Sequence, residues 1–260
     1  MDAALLRAHS DGETRGRAAL LFPLQAGGTQ FLPVSGTLTD RLLITYRGDA
    51  ERLAELVPEP FEIDEHRGYG FLSVCAVEIA GMGIHGTPGF LRFENREFLY
   101  RIGVRFRGEP TFLTLRSDVS SRALSLLGRY FSHYRPHLGR VWLFRDGERL
   151  RVESTTQGGD GDGVVEVDLG ARPGRGSVFA DDAHAAEFLL GMNFSADVVR
   201  GRVRVQPIDH GPWEPRFVET KVARFAFVNE LERRLGTSLT LDGTLAVRNV
   251  PHVWRAARWL

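Results

Sequence analysis

Apolar and polar positions show no sustained period over the first 38 residues. Pro23, Gly27, Gly28 and Pro33 interrupt each short run, so residues 1–38 are expected to form a lead-in arm. From residue 40 the pattern sharpens. Residues 40–47 (DRLLITYR) read as a strand. Residues 49–57 (DAERLAELV) read as a short amphipathic helix, with Asp49 as N-cap and Leu53, Leu56 and Val57 on one face. Pro58 and Pro60 stop it. FEIDEH (61–66) and YGFLSVCAVEI (69–79) follow as strands, and 81–89 as a glycine-rich loop. REFLYRIGVRF (96–106) and PTFLTLRSD (110–118) then pair through the connector RGEP.

Residues 119–131 have helical spacing at Leu124, Leu127, Gly128 and Phe131. Residues 140–154 (RVWLFRDGERLRVES) carry a hairpin signature with Asp146–Gly147 at the turn. DDAHAAEFLLG (181–191) and FVNELERRLG (227–236) read as helices, and 201–209, 216–225 and 244–251 as strands. No internal repeat interrupts this series. Many strands broken by four short helices predict an α+β domain over 39–260, built on a barrel or a large curved sheet.

Composition narrows the function. Thirty-three basic and 33 acidic residues balance in a 260-residue chain, so no net field steers it onto nucleic acid or an anionic membrane. No apolar run approaches the ~20 residues of a bilayer span, and the N-terminus has no signal-peptide pattern, so the expectation is a cytoplasmic protein. One cysteine, Cys75, excludes a disulfide framework and a cysteine zinc site within the chain; in an apolar run it reads as a small buried hydrophobe. Lys221 is the single lysine among 33 basic residues.

Two glycine-rich stretches look like ligand loops and fail on their context. The loop at 81–89 has neither the following helix nor the lysine of a phosphate loop. GGDGDG (158–163) resembles a calcium loop, but Ala171 stands where the distal bidentate carboxylate is needed.

The run LLITYRGDAERLAELVPEPFEIDE (42–65) resembles the opening of the acetoacetate decarboxylase family. GRYFSHYRPHLG (128–139) is similar to a segment of that family that carries two adjacent lysines. REFLYRIGVRF resembles the strand that opens with the family's active-site glutamate. HGPWEP (210–215) and the closing VRNVPHVWRAARWL are more similar to the YqjF-like bacterial proteins of the same superfamily. The resemblance implies an acetoacetate decarboxylase-like fold, a β-barrel or curved antiparallel sheets with a few short helices.

It also implies a site, with Arg47 at the substrate-contacting arginine and Glu97 at the glutamate. Pro136 and His137 hold the two lysine positions. Proline has no side-chain amine and imidazole forms no stable imine, so Schiff-base decarboxylation is not expected unless Lys221 reaches the cavity. Arg47 could grip a carboxylate through paired N–H bonds, or pair with Asp49 or Glu51. His133 and His137 stand at i, i+4, but Pro136 between them and the lack of a third ligand argue against a metal. Tyr134, Trp213 and Phe131 are candidate pocket walls.

Three readings follow. The first is binding of a small carboxylate or keto acid by Arg47, Tyr134 and Trp213 without covalent chemistry or a cofactor. The second is an acid/base enzyme (hydration, enolisation or lactone hydrolysis) that uses His137 or His133 with Glu97. The third is an interaction scaffold whose cavity is filled by side chains. The sequence leaves open the ligand, the face that Lys221 occupies, any homo-oligomer and the role of residues 1–38.

Overall fold

The computed structural model describes residues 32–131, 136–174, 176–199, 201–212 and 214–260, with the side chains of 127–131 outside the description. His133, Tyr134 and Trp213 fall outside the described residues.

The elements run β1 (Val34–Asp49), α1 (Ala50–Ala54), the two-residue strands β2 (Glu62–Ile63) and β3 (Glu65–His66), β4 (Tyr69–Ile84), β5 (Phe93–Phe106), β6 (Glu109–Val119), α2 (Arg122–Phe131), β7 (His137–Asp146), β8 (Arg149–Thr156) and β9 (Gly163–Asp168). They continue with α3 (Asp182–Leu190), β10 (Phe194–Val199), β11 (Arg202–His210), β12 (Arg216–Phe225), α4 (Ala226–Leu235), β13 (Thr240–Trp254) and β14 (Arg258–Trp259).

The expected α+β class holds: one large curved sheet carries a few short helices. Its order is β1-β4-β5-β6-β7-β8-β9-β12-β13-β11-β10, and β13 also pairs β1, so the path returns on itself. The pairings are antiparallel except for a two-residue parallel contact of β6 with β7, Asp118 with His137 and Val119 with Leu138.

Local chemistry accounts for the element ends. Asp49 accepts from Arg52 N at 3.0 Å, capping α1 as expected, and Asp181 accepts from His184 N at 2.8 Å, capping α3. Gly236 closes α4 in the left-handed conformation, φ 62°. Arg107 and Gly108, both at positive φ, make the tight turn between β5 and β6.

Some boundaries differ from expectation. β1 begins at Val34, inside the expected arm, because its N-terminal end pairs with both β4 and β13. β4 runs to Ile84 through a register shift near Gly81, which absorbs half of the expected glycine loop. The β7–β8 turn falls on Gly147–Glu148, one residue later than predicted, since Asp146 pairs with Arg149. β9, β10 and β14 were not foreseen: they are short, and β10 and β14 lie where the chain shows little alternation.

β4 and the middle of β1 (Leu42–Ile44) are covered on both faces, which is why their sequences there are nearly continuous apolar runs. Leu42, Ile44, Leu72, Val74, Phe98 and Tyr100 enter a core shared with β8, β9, β12 and α4. Alternate residues (Leu43, Cys75, Val77 and Leu245) pack on the other face beneath Phe179, Leu189 and Leu190 of the α3 segment. The polar residues of interest lie on this second face.

Candidate ligand site

Strand alternation puts Arg41, Cys75, Glu97 and Arg101 on the second face, around a cavity of about 90 Å³. His210 from β11 and His252 from β13 close its far side, and Leu189 and Leu190 of α3 lie over it. That space holds several waters or a few ligand heavy atoms.

Arg101 is 6% exposed and its guanidinium stacks over Phe112 at 4.6 Å. Its Nη2 finds no hydrogen-bond partner among the described residues. Burial, reinforced by the like charge of Arg41, pulls its pKa down to about 9. Arg41, also buried, donates from Nε to Cys75 Sγ at 3.2 Å.

Glu97 is buried in the same wall. Ser117 Oγ donates to Oε1 at 2.7 Å and Asn95 Nδ2 to Oε2 at 3.4 Å. His252 is held neutral, its pKa lowered to about 3 by burial and then by Arg41. Its Nδ1 faces the Val250 carbonyl at 3.3 Å, and its ring stacks on His210 at 5.7 Å. His210 Nδ1 faces the Gly211 carbonyl at 2.8 Å. A carbonyl only accepts, so each Nδ1 carries the hydrogen.

The sequence-predicted residues separate. Glu97 lines the cavity. Arg47 lies outside it: Nη1 donates to Asp242 Oδ1 at 2.5 Å and to the Gly176 carbonyl at 2.8 Å, and the guanidinium lies over Tyr69. Neither Asp49 nor Glu51 is its partner. Asp242 also accepts from Ser177 Oγ and Val178 N, so this pair ties down the segment that leads into α3.

His137 stands on the opposite face from Glu97. Ser117 and Asp118 are consecutive in β6 and so point to opposite faces. Ser117 Oγ reaches Glu97, whereas Asp118 lies 3.9 Å from His137 Nδ1, which donates to the Ser117 carbonyl at 3.2 Å. Lys221 is 46% exposed and pairs with Glu219 at 2.7 Å.

On that opposite face, the GGDGDG loop meets an arginine. Arg116 binds Asp118 through Nε (2.8 Å) and Asp160 through both Nη atoms (2.9 and 3.1 Å). A Cβ on Gly161 would come within 2.5 Å of Arg116 Nη2. The glycine admits the guanidinium, which supplies the cation these carboxylates face.

The sequence contained one usable signal for the cavity: Arg101 is a charged residue inside the apolar stretch 98–104, and Arg41 directly precedes the apolar run 42–44. The two C-terminal segments similar to YqjF-like proteins contribute His210, His252 and Trp254 to the cavity.

Solved structures share the fold. Acetoacetate decarboxylase from Legionella pneumophila is 14% identical, with a TM-score of 0.63 and coverage of 88% of each chain. An acetoacetate decarboxylase-like enzyme from Sphingomonas wittichii RW1 is 15% identical, with a TM-score of 0.60 over 89% of this chain and 93% of that one. The enduracididine biosynthesis enzyme MppR, complexed with pyruvate, is 16% identical, with a TM-score of 0.55 over 87% and 89%. At these identities the likeness establishes the acetoacetate decarboxylase-like fold alone. No curated protein matches the chain. Residues 35–242 match the DUF2071 family, described as an uncharacterized conserved protein, and the chain belongs to that family.

Proposed function

We propose that the protein binds a small organic carboxylate, of the keto-acid kind, in the cavity beside Arg101 and without Schiff-base chemistry. One observation carries this reading: a buried guanidinium in the cavity wall whose Nη2 has no hydrogen-bond partner among the described residues. Leaving such a group unpaired in a protein interior costs several kcal/mol, and a carboxylate returns that cost through charge-assisted N–H bonds. The apolar remainder of the wall suits a short carbon chain. That MppR has been obtained with pyruvate bound supports the ligand class. The surface position of Lys221 supports the non-covalent part with respect to amines. The anion grip falls on Arg101 rather than Arg47, because Asp242 already occupies Arg47.

An acid/base enzyme is the second reading, favoured by Glu97 lying in the same wall as the carboxylate grip. His137 would not share that site. A cavity of about 90 Å³ with Arg101 and Glu97 in its wall counts against a pure scaffold.

The test is thermal denaturation and calorimetry with pyruvate, acetoacetate and succinate. Stabilisation by at least one of them is expected in the parent and in Arg47→Ala, and its loss in Arg101→Met. Stabilisation by none, or an undiminished response in Arg101→Met, overturns the reading.

A further inference from the structure

Cys75 occupies a singular position on the cavity face. It pairs with Leu43 of β1 on one side and Leu99 of β5 on the other. On the same face its diagonal neighbours include Arg41 and Glu97, which both pair with Val77, and Arg101, which pairs with Ser73. The sulfur therefore sits between two guanidiniums and accepts the Arg41 Nε–H at 3.2 Å. An inert core cysteine needs neither.

Arg101 Nη2 is a separate observation that points to an anion at this place: it is buried, without a hydrogen-bond partner among the described residues, and in the same wall. In a cavity of about 90 Å³, a carboxylate seated on Arg101 cannot lie far from the thiol.

We propose that Cys75 is the nucleophile of this cavity and adds its thiol reversibly across the carbonyl of a 2-oxo or aldehydo acid held by Arg101. The step rests on the carboxylate reading above and balances without a further reagent. The S–C bond forms, the carbonyl π pair moves onto oxygen, and the thiol proton ends on that oxygen, giving a hemithioketal. The reverse step returns ketone and thiol with no change of oxidation state. The two guanidiniums flank the oxygen as negative charge develops on it. The ligand class is thereby narrowed to carboxylates with an electrophilic carbon beside the carboxyl group. Propionate would bind and go no further.

The experiment titrates the full chain with pyruvate, glyoxylate and propionate by calorimetry, and follows [2-¹³C]pyruvate by carbon NMR. The parent is expected to prefer the carbonyl acids over propionate by about tenfold or more. The labelled carbon should move from the ketone region to that of a carbon bearing oxygen and sulfur. In Cys75→Ala and Cys75→Ser the preference should collapse and the shifted carbon disappear, with propionate binding retained. A preference that survives both substitutions, or bound pyruvate whose carbon stays a ketone, overturns the thiol step and leaves the carboxylate reading standing. Failure of pyruvate, glyoxylate and propionate alike to bind overturns the thiol step, and overturns the carboxylate reading too when acetoacetate and succinate also fail.

A second readout needs no variant. Iodoacetate, an anion, should alkylate the native protein once at Cys75, faster than neutral iodoacetamide, and pyruvate should block it. No labelling of the native chain, or labelling faster with the neutral reagent, also overturns the thiol step.

Discussion

Arg101 and Arg116 make an instructive pair. Both are arginines buried in neighbouring strands of one sheet, and they point to opposite faces, since Arg116 pairs with Tyr100, the residue before Arg101. Around Arg116, burial opposes the charge, but the hydrogen bonds it donates to Asp118 and Asp160 outweigh it and its pKa is raised. Around Arg101, burial and the like charge of Arg41 act together, and the pKa falls to about 9. One guanidinium is finished by the chain and the other is left for something else. Burial alone does not distinguish a structural arginine from a binding one; the surrounding acids do.

The largest effect separating the two faces is expected at Arg116. Arg116→Met leaves Asp118 buried without its counter-charge, and breaking a buried pair in this way costs about 3–5 kcal/mol. Urea unfolding should show that loss, and Asp118→Leu added to it should recover most of it. Arg101→Met removes a charge that leaves no counter-charge orphaned among the described residues, so its stability should be equal to the parent's or higher, while the carboxylate response disappears. A destabilisation of Arg101→Met comparable to that of Arg116→Met would erase the distinction.

Much of the fold was legible because strand and helix signals are local. Asp49 caps α1 and the RGEP connector holds the Arg107–Gly108 turn, both as expected, and Asp181 and Gly236 act through equally local contacts at the ends of α3 and α4. The site was legible only in part. Glu97 was found by resemblance and lines the cavity, whereas Arg47 matched the same pattern and is occupied by Asp242, 195 residues away. A pairing at that separation leaves no trace in local spacing. Arg41 and Arg101 were overlooked for the opposite reason: they sit one residue from strongly apolar positions, and only the direction of alternation relative to β4 shows that both turn toward Cys75. Cys75 itself reads as a hydrophobe until Arg41 is seen beside it.

A third measurement probes the cavity face through pH. His252 has a folded pKa of about 3, lowered first by burial, against an ordinary histidine value of about 6.5. As pH falls below 6.5 the unfolded chain takes up this proton and the folded chain does not. Stability present above pH 6.5 is therefore lost on acidification, at up to about 1.4 kcal/mol per pH unit, until pH approaches 3. Asp197, raised to about 6 by burial, acts in the opposite sense: the folded state takes its proton first below that pH. The two are separated by comparing the parent with His252→Gln, whose acid-side slope should be shallower by the histidine contribution. Equal slopes would mean that His252 is solvated and that this side of the cavity is open to water.

The smallest effect is expected at the single lysine. Lys221 and Glu219 form an ion pair that is largely in water, a geometry worth about 0–1 kcal/mol, so Lys221→Ala should scarcely move the unfolding midpoint. That near-silence makes it the cleanest probe of the contrast between the two faces, because nothing in the cavity is disturbed. Borohydride added with acetoacetate or pyruvate should leave no reduced adduct on Lys221 by intact mass and peptide mapping. Carboxylate binding should be the same in the parent and in Lys221→Ala. An adduct on Lys221 that vanishes in this variant would place an amine within reach of the bound acid, and the thiol and guanidinium face would then not be where the ligand sits.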